Sequence, residues 1–202
     1  MPPFTDTRVT TSRCKWRNFY MKATGIVRRI DDLGRIVIPK EIRRTMRIRE
    51  GDPMEIFTSR EGEILLKKYS PVGELGEFAS SIAEAIGQTL GELVCITDRD
   101  YIIAAAGSGK KEYEGKLLDT ELQAAIDNRC NQVIAENKAA FIKITADDMQ
   151  AYESQAIVTI LSHGDCIGAV VILSKNKSRS QDELLLQLAR TVASFLGKHM
   201  EQ

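Results

Sequence analysis

Residues 25–49 read Gly25-Ile26-Val27-Arg28-Arg29-Ile30-Asp31-Asp32-Leu33-Gly34-Arg35-Ile36-Val37-Ile38-Pro39-Lys40-Glu41-Ile42-Arg43-Arg44-Thr45-Met46-Arg47-Ile48-Arg49. Gly25 to Ile30 and Arg35 to Ile38 are short runs rich in β-branched residues. Asp31-Asp32-Leu33-Gly34 between them is turn chemistry, so the segment predicts a hairpin. Pro39 stands at the start of a short helix through Met46, where its missing N–H is tolerated. Ile42 and Met46 share one face of that helix at i, i+4, which leaves Arg43 and Arg44 outward. Two further strands follow, Met54 to Thr58 and Ile64 to Lys68, punctuated by Gly51-Asp52 and Arg60-Glu61-Gly62-Glu63. A unit of roughly fifty residues buries only ~60% of the surface its unfolded chain exposes, and such units often need a metal, a disulfide or a partner chain. The cysteine spacing suggests neither of the first two, so oligomerisation is left: two chains could pool their strands and close a barrel.

The same stretch is strongly cationic. Arg28, Arg29, Arg35, Lys40, Arg43, Arg44, Arg47 and Arg49 face only Asp31, Asp32 and Glu41 within it. Adjacent residues of a strand point to opposite faces, so Arg28 and Arg29 separate, and a dimer doubles the whole set. Arginine's planar fork suits phosphate oxygens and guanine edges, and each neutralised phosphate releases counterions. From composition alone two readings stand: a nucleic-acid surface, or a solvated face laced with ion pairs.

The whole chain hides this asymmetry. It has 202 residues, 28 basic and 28 acidic, for a formal net charge of zero. Residues 1–70 hold 16 Lys and Arg against 9 Asp and Glu, whereas residues 71–202 hold 12 against 19. A basic head on an acidic body is expected when one domain meets a polyanion and the other has a different task. A content of 43% hydrophobic and 28% charged residues supports a globular core and excludes a wholly disordered chain. No run approaches the ~20 apolar residues of a membrane span, and the first twenty residues lack a signal-peptide core, so the expected location is the cytoplasm.

Residues 1–20, polar and aperiodic, read as a disordered extension, with Met21 a candidate true start. Residues 21–70 are the first domain, and Pro71-Val72-Gly73-Glu74-Leu75-Gly76 reads as a linker. Residues 77–202 form the second. There Phe78, Ile82, Ile86 and Leu90 recur every four residues, an amphipathic helix. Strands are expected at Leu93 to Thr97 and Tyr101 to Ala105, a helix from about Asp119 to Arg129, and a hairpin of Ala156 to Leu161 with Cys166 to Leu173. Ser180-x-x-Glu183 reads as a capping box before a last helix with Leu184, Leu185, Leu188, Val192, Phe195 and Leu196 on one broad face. The pattern helix, strands, helix, strands, helix predicts an α+β domain.

The run Met21-Lys22-Ala23-Thr24 through Arg44, continued in Ile64-Leu65-Leu66-Lys67-Lys68-Tyr69, closely resembles the AbrB family of bacterial DNA-binding regulators. The whole chain from Met21 resembles sporulation regulators of endospore-forming bacteria. The resemblance implies a two-domain protein: an all-β swapped-hairpin dimeric barrel that grips double-stranded DNA, then a GAF-like α+β domain. By matching motif positions it implies DNA contacts from Arg28, Arg35, Arg43 and Arg44, with Arg29 and Lys40 on the DNA backbone. It also implies a homodimer, or a homotetramer built as a dimer of dimers, and a GAF-like pocket open to an unnamed small molecule. No cofactor, metal or catalytic residue is expected.

Weaker signals point elsewhere. Gly107-Ser108-Gly109-Lys110 looks like part of a phosphate loop, but Ala104 stands in place of the first glycine and Lys111 where Ser or Thr binds magnesium, so a plain loop is expected. His163 and Cys166 lie three apart in a hairpin turn without further ligands, so His163 is expected to be a solvent-facing turn residue and not a metal ligand; His199 suits the end of the last helix. Some GAF-like domains resemble free methionine sulfoxide reductases, but Cys95, Cys130 and Cys166 are too dispersed for a redox site and lie among apolar neighbours that would raise a thiol's pKa. An AbrB-like antitoxin is the other alternative, against which stands the folded second domain in place of a short disordered tail.

Overall fold

A computed structural model describes residues 24–60, 62–135, 140–148, 152–176 and 179–201, with the side chains of 179–181 also outside the described set. The proposed extension at 1–20 and the start of the family-like run at Met21 lie outside it. So does the Ser180 side chain of the proposed capping box.

In the first domain the expected turn forms: Asp31 N–H donates to the Arg35 carbonyl at 3.0 Å and Gly34 N–H to the Asp31 carbonyl at 3.0 Å. The flanking residues 24–30 and 35–39 form no ladder, so the hairpin expected there exists only as its turn. Helix α1 (Lys40–Thr45) follows, with Pro39 as its N-cap residue rather than its first helical one. Strands β1 (Met54–Thr58) and β2 (Ile64–Lys68) pair antiparallel, Met54 opposite Lys68 and Thr58 opposite Ile64.

Pro71 to Gly76, expected as a linker, is helical. Ser70 Oγ accepts from Gly73 N–H at 3.0 Å and caps α2 (Pro71–Glu74), which uses Pro71 where its missing donor is harmless. Gly76 then opens α3 (Gly76–Leu90). The second domain continues with β3 (Leu93–Thr97), β4 (Ile102–Ala106), α4 (Thr120–Asp127), β5 (Asn131–Ile134), β6 (Ser154–Ser162), β7 (Asp165–Ser174) and α5 (Arg179–His199). The five strands form one antiparallel sheet in the order β4-β3-β7-β6-β5.

Strand alternation sends two sets of side chains to opposite faces of this sheet. Val94, Ile96, Val170 and Ile172 pack under α3 and α5 against Ala79, Ala83, Leu185, Ala189 and Leu196. Cys95, Val171 and Leu173 face α4, with Leu122 and Ile126, and the loop residues Tyr113, Ile144 and Tyr152. The sheet is thus buried on both faces, which is why its central strands are almost continuously apolar. The turn between β6 and β7 puts His163 at φ 50° and Gly164 at φ 85°, the two left-handed residues that a tight hairpin requires.

Candidate nucleic-acid interface

All six cations expected at the DNA surface, Arg28, Arg29, Arg35, Lys40, Arg43 and Arg44, are exposed. Asp31 organises the turn that carries Arg35. One carboxylate oxygen accepts from the backbone N–H of Leu33 at 3.0 Å and of Arg35 at 2.8 Å; the other takes the Arg35 Nε at 2.8 Å. The Arg35 backbone and side-chain donors hold the Asp31 carboxyl below its usual pKa. Arg35 is the one member of the six that pairs with a carboxylate among the described residues, which argues against a face neutralised by its own acids.

On α1, Arg43 N–H donates to the Pro39 carbonyl at 3.0 Å, and Ile42 is half-buried while Arg43 and Arg44 stand in the last turn. Their charge there favours the negative end of the helix as well as any external anion.

Arg47 and Arg49, the remaining members of the basic run, turn the other way. Arg47 adopts a left-handed backbone, φ 51°, and its Nη1 donates to the Leu118 carbonyl at 3.5 Å. Arg49 Nη2 lies 3.7 Å from Asp100 Oδ1. Nothing in the basic run itself signals this division, because the groups that attract these two arginines lie some fifty or more residues later in the chain.

Apolar side chains accompany the exposed cations. Val27 is 87% exposed, Val37 71%, Ile56 65% and Ile64 68%. In the two-stranded sheet of β1 and β2, Leu65 and Leu66 are exposed too, and so are Ile30, Leu33, Ile36 and Met46.

In the second domain, the face of the sheet beneath α4 is filled by the chain itself. Tyr113 is fully buried, its hydroxyl 2.7 Å from Asp148 Oδ1 and 3.3 Å from the Tyr152 hydroxyl. Burial pushes Tyr152 up to about 12 and Tyr113 higher still, so both keep their protons. A cleft of about 70 Å³ lies beside Glu92, Tyr152 and Lys175, and another of about 280 Å³ between α3 and the loop after β4, lined by Glu84, Gln88 and Lys110. Both are below the ~300 Å³ at which small-molecule pockets ordinarily begin. Gly107 of the phosphate-loop-like sequence is explained by packing: a Cβ there would run into the Glu92 carbonyl.

Cys95 is fully buried and its thiol is pushed far up by desolvation, and Cys130 is raised by the same cause. Among the described residues no group of three or more His, Cys, Asp or Glu could hold a metal ion. No helix among them is long and apolar enough to cross a membrane. His163 is exposed, as expected, whereas His199 stacks on Phe78 rather than serving the helix end alone.

Two family models match this chain. Residues 74–201 match the model described as stage V sporulation protein T C-terminal, transcription factor, and residues 27–74 that of the antidote-toxin recognition protein MazE, a bacterial antitoxin. The chain is 50% identical to stage V sporulation protein T of Bacillus subtilis, over 90% of its own length and 100% of that protein. It belongs to the stage V sporulation protein T family. The AbrB-like character of the family's first domain is evident here too. This chain is 58% identical over 52 residues to the transition state regulatory protein AbrB of Bacillus subtilis, covering 26% of this chain and 53% of that protein. Among solved structures it is similar to the A. aeolicus nlh2 GAF domain, 15% identical over 65% of this chain and 85% of that one, with a TM-score of 0.49. An AbrB-like first domain is thus followed by a second domain that matches the C-terminal transcription-factor model of the family, the two-domain architecture expected from sequence.

Proposed function

We propose that this chain is a non-enzymatic transcriptional regulator of sporulation genes that binds duplex DNA through Arg28, Arg35, Arg43 and Arg44, assisted on the backbone by Arg29 and Lys40. The observation that carries the reading is the coincidence, in one short domain, of six outward cations with a set of apolar side chains left uncovered in the single chain. Covering Val27, Val37, Ile56 and Ile64 requires a second copy, and interleaved hairpins do so while doubling the cationic surface. The same exchange explains why residues 24–30 and 35–39 lack a ladder here: their pairing partners belong to the other chain.

The pooled arginines would straddle phosphates and reach base edges, with DNA shape contributing to site choice because α1 is too short to read many bases. Two such barrels held by the acidic second domains give a homotetramer with avidity for long duplexes. On the α4 side of the sheet a small-molecule ligand would have to displace Tyr113 and Tyr152, which pack there. No catalytic role is assigned to the cysteines; burial raises the pKa of Cys95 and of Cys130 and so suppresses the nucleophilic thiolate at those two.

The test is a solution mass measurement with a DNA mobility shift at several salt concentrations. An even-numbered assembly whose affinity falls steeply with salt is expected. A monomer, or salt-insensitive binding, refutes the reading.

A further inference from the structure

Asp98, Arg99 and Asp100, three of the four residues between β3 and β4, each engage a different group of the first domain or of the segment joining the domains. Asp98 Oδ2 accepts from Ser70 Oγ at 2.7 Å, while its Oδ1 accepts from the backbone N–H of Asp100 at 2.7 Å and of Tyr101 at 2.6 Å. One carboxylate thus shapes the turn and holds the joining segment. Arg99 Nη1 lies 3.5 Å from Asp52 Oδ1. Asp100 pairs with Lys68 Nζ and, at 3.7 Å, with Arg49 Nη2. Lys68 completes the set by reaching Asp52 Oδ2 at 2.9 Å and the Arg47 carbonyl at 3.0 Å.

These are not loose surface pairs. Asp98 and Asp100 are buried and the Asp52 side chain is 2% exposed, so each carboxylate is stable only while its partners stay in place. The turn is held from behind by α4. Gln123 Nε2 donates to Asp100 Oδ1 at 3.3 Å, and Asp127 Oδ1 lies 2.7 Å from Arg99 Nη2. On its other side α4 packs Leu122, Ala125 and Ile126 against the sheet face that carries Cys95, beside the loop residues Tyr113 and Tyr152. A shift of α4 on that face therefore moves two groups that hold the turn.

We propose that the Asp98-Arg99-Asp100 turn is the positioning element of the DNA-binding domain: it fixes how that domain sits on the second one, and α4 is the lever by which a change at the Tyr113 face reaches it. The proposal rests on the DNA-binding reading above. The turn touches no DNA; it acts through Arg49, Asp52, Lys68 and Ser70. It also divides the basic run, six cations outward and Arg47 with Arg49 turned to the protein.

The test uses the full chain and two variants, Asp100→Asn and Arg99→Gln. Amide hydrogen exchange is followed across residues 52–76 and across β6 and β7. Affinities are measured for a short duplex that admits one DNA-binding unit and a long one that admits two. Exchange in β2 and the joining segment is expected to rise severalfold while β6 and β7 stay protected. The short duplex should bind within about twofold of the parent, and the advantage of the long duplex should fall roughly tenfold as the two units lose their fixed spacing. Parental exchange in residues 52–76, or a parental ratio of the two affinities, in both variants overturns the proposal. If Asp100→Asn also loses protection in β6 and β7, Arg99→Gln, which leaves the buried carboxylate in place, decides by the same readings. A parent that fails to bind the short duplex removes the DNA-binding reading instead, and the exchange comparison still reports on the turn.

Discussion

The imidazole of His199, at the end of α5, stacks on the ring of Phe78 near the start of α3, with centroids 5.2 Å apart and planes 29° from parallel. Phe195 adds a third ring, 5.8 Å from Phe78, yet remains 50% exposed. The first and last helices of the second domain are therefore clasped at one end, with apolar surface to spare on the outside.

That surface continues along α5. Leu184, also half exposed, lies eleven residues before Phe195, which places the two within about 20° of each other around the helix. A stripe of this kind is where a second pair of chains would seat. Phe195→Glu is expected to reduce the assembly from four chains to two in analytical ultracentrifugation while leaving short-duplex binding intact. An unchanged mass would remove α5 from the assembly surface.

Replacing Arg43 and Arg44 together with Ala takes two outward cations from each chain without touching a buried group. Affinity for every duplex should fall, and the slope of log affinity against log salt should flatten by about 0.9 for each phosphate that is no longer neutralised. The measurement is a salt titration by fluorescence anisotropy, with thermal melting to show the fold unchanged. Wild-type slopes would take both residues off the DNA surface.

Much of this is legible in the residues. Strands β1 and β2 follow from two short apolar-containing runs around a glycine turn, and Arg43 and Arg44 are outward on α1 as expected, although of the two residues expected on the opposite face only Ile42 is half-buried and Met46 is exposed. What the residues conceal depends on distant groups. Pro71 to Gly76 has the composition of a linker, but Ser70 supplies a cap and Ile103 packs nearby, so it is helical. Strand β5 carries no local signal, because Asn131 and Gln132 are polar and become strand only by pairing with Val158 and Ile157. Arg47 and Arg49 resemble the rest of the basic run until the fold brings Leu118 and Asp100 to them.

Asp52 gives the junction a pH dependence of definite sign. Burial raises its pKa, but the Arg49 N–H, Lys68 and Arg99 outweigh that effect and hold it below the usual 3.8. A lowered folded-state value means the stabilisation is complete above about pH 4 and is lost as pH falls through the folded-state pKa. Asp52→Asn should therefore melt lower than the parent at neutral pH, by about 3 °C for a change near 1 kcal/mol. The gap should begin to narrow as pH falls below about 4 and close only below the lowered folded-state pKa, where the parent's own carboxyl takes up a proton. Melting curves between pH 3 and 7 check this, and a gap that widens toward acid would contradict the assigned direction.

Gly197 sits inside α5, where glycine is a poor helix former, so its presence needs a packing reason. The helix lies so close to β6 that a Cβ at this position would run into the Leu161 carbonyl. Backbone cannot yield as a flexible side chain can, so Gly197→Ala must push α5 off the sheet and open the core between Leu196 and Ile160. A cost of about 1–3 kcal/mol follows for overpacking at such a contact, a fall of roughly 3–10 °C in the melting temperature. Gly76→Ala is the matched control. It lies at the start of α3, where the nearest atom to a new Cβ is Ile103 Cγ2 at 4.0 Å, and alanine is the better helix former. That variant should melt at or above the parent temperature. If both substitutions were equally harmless, the close approach of α5 to β6 would not be what holds the last helix on the sheet.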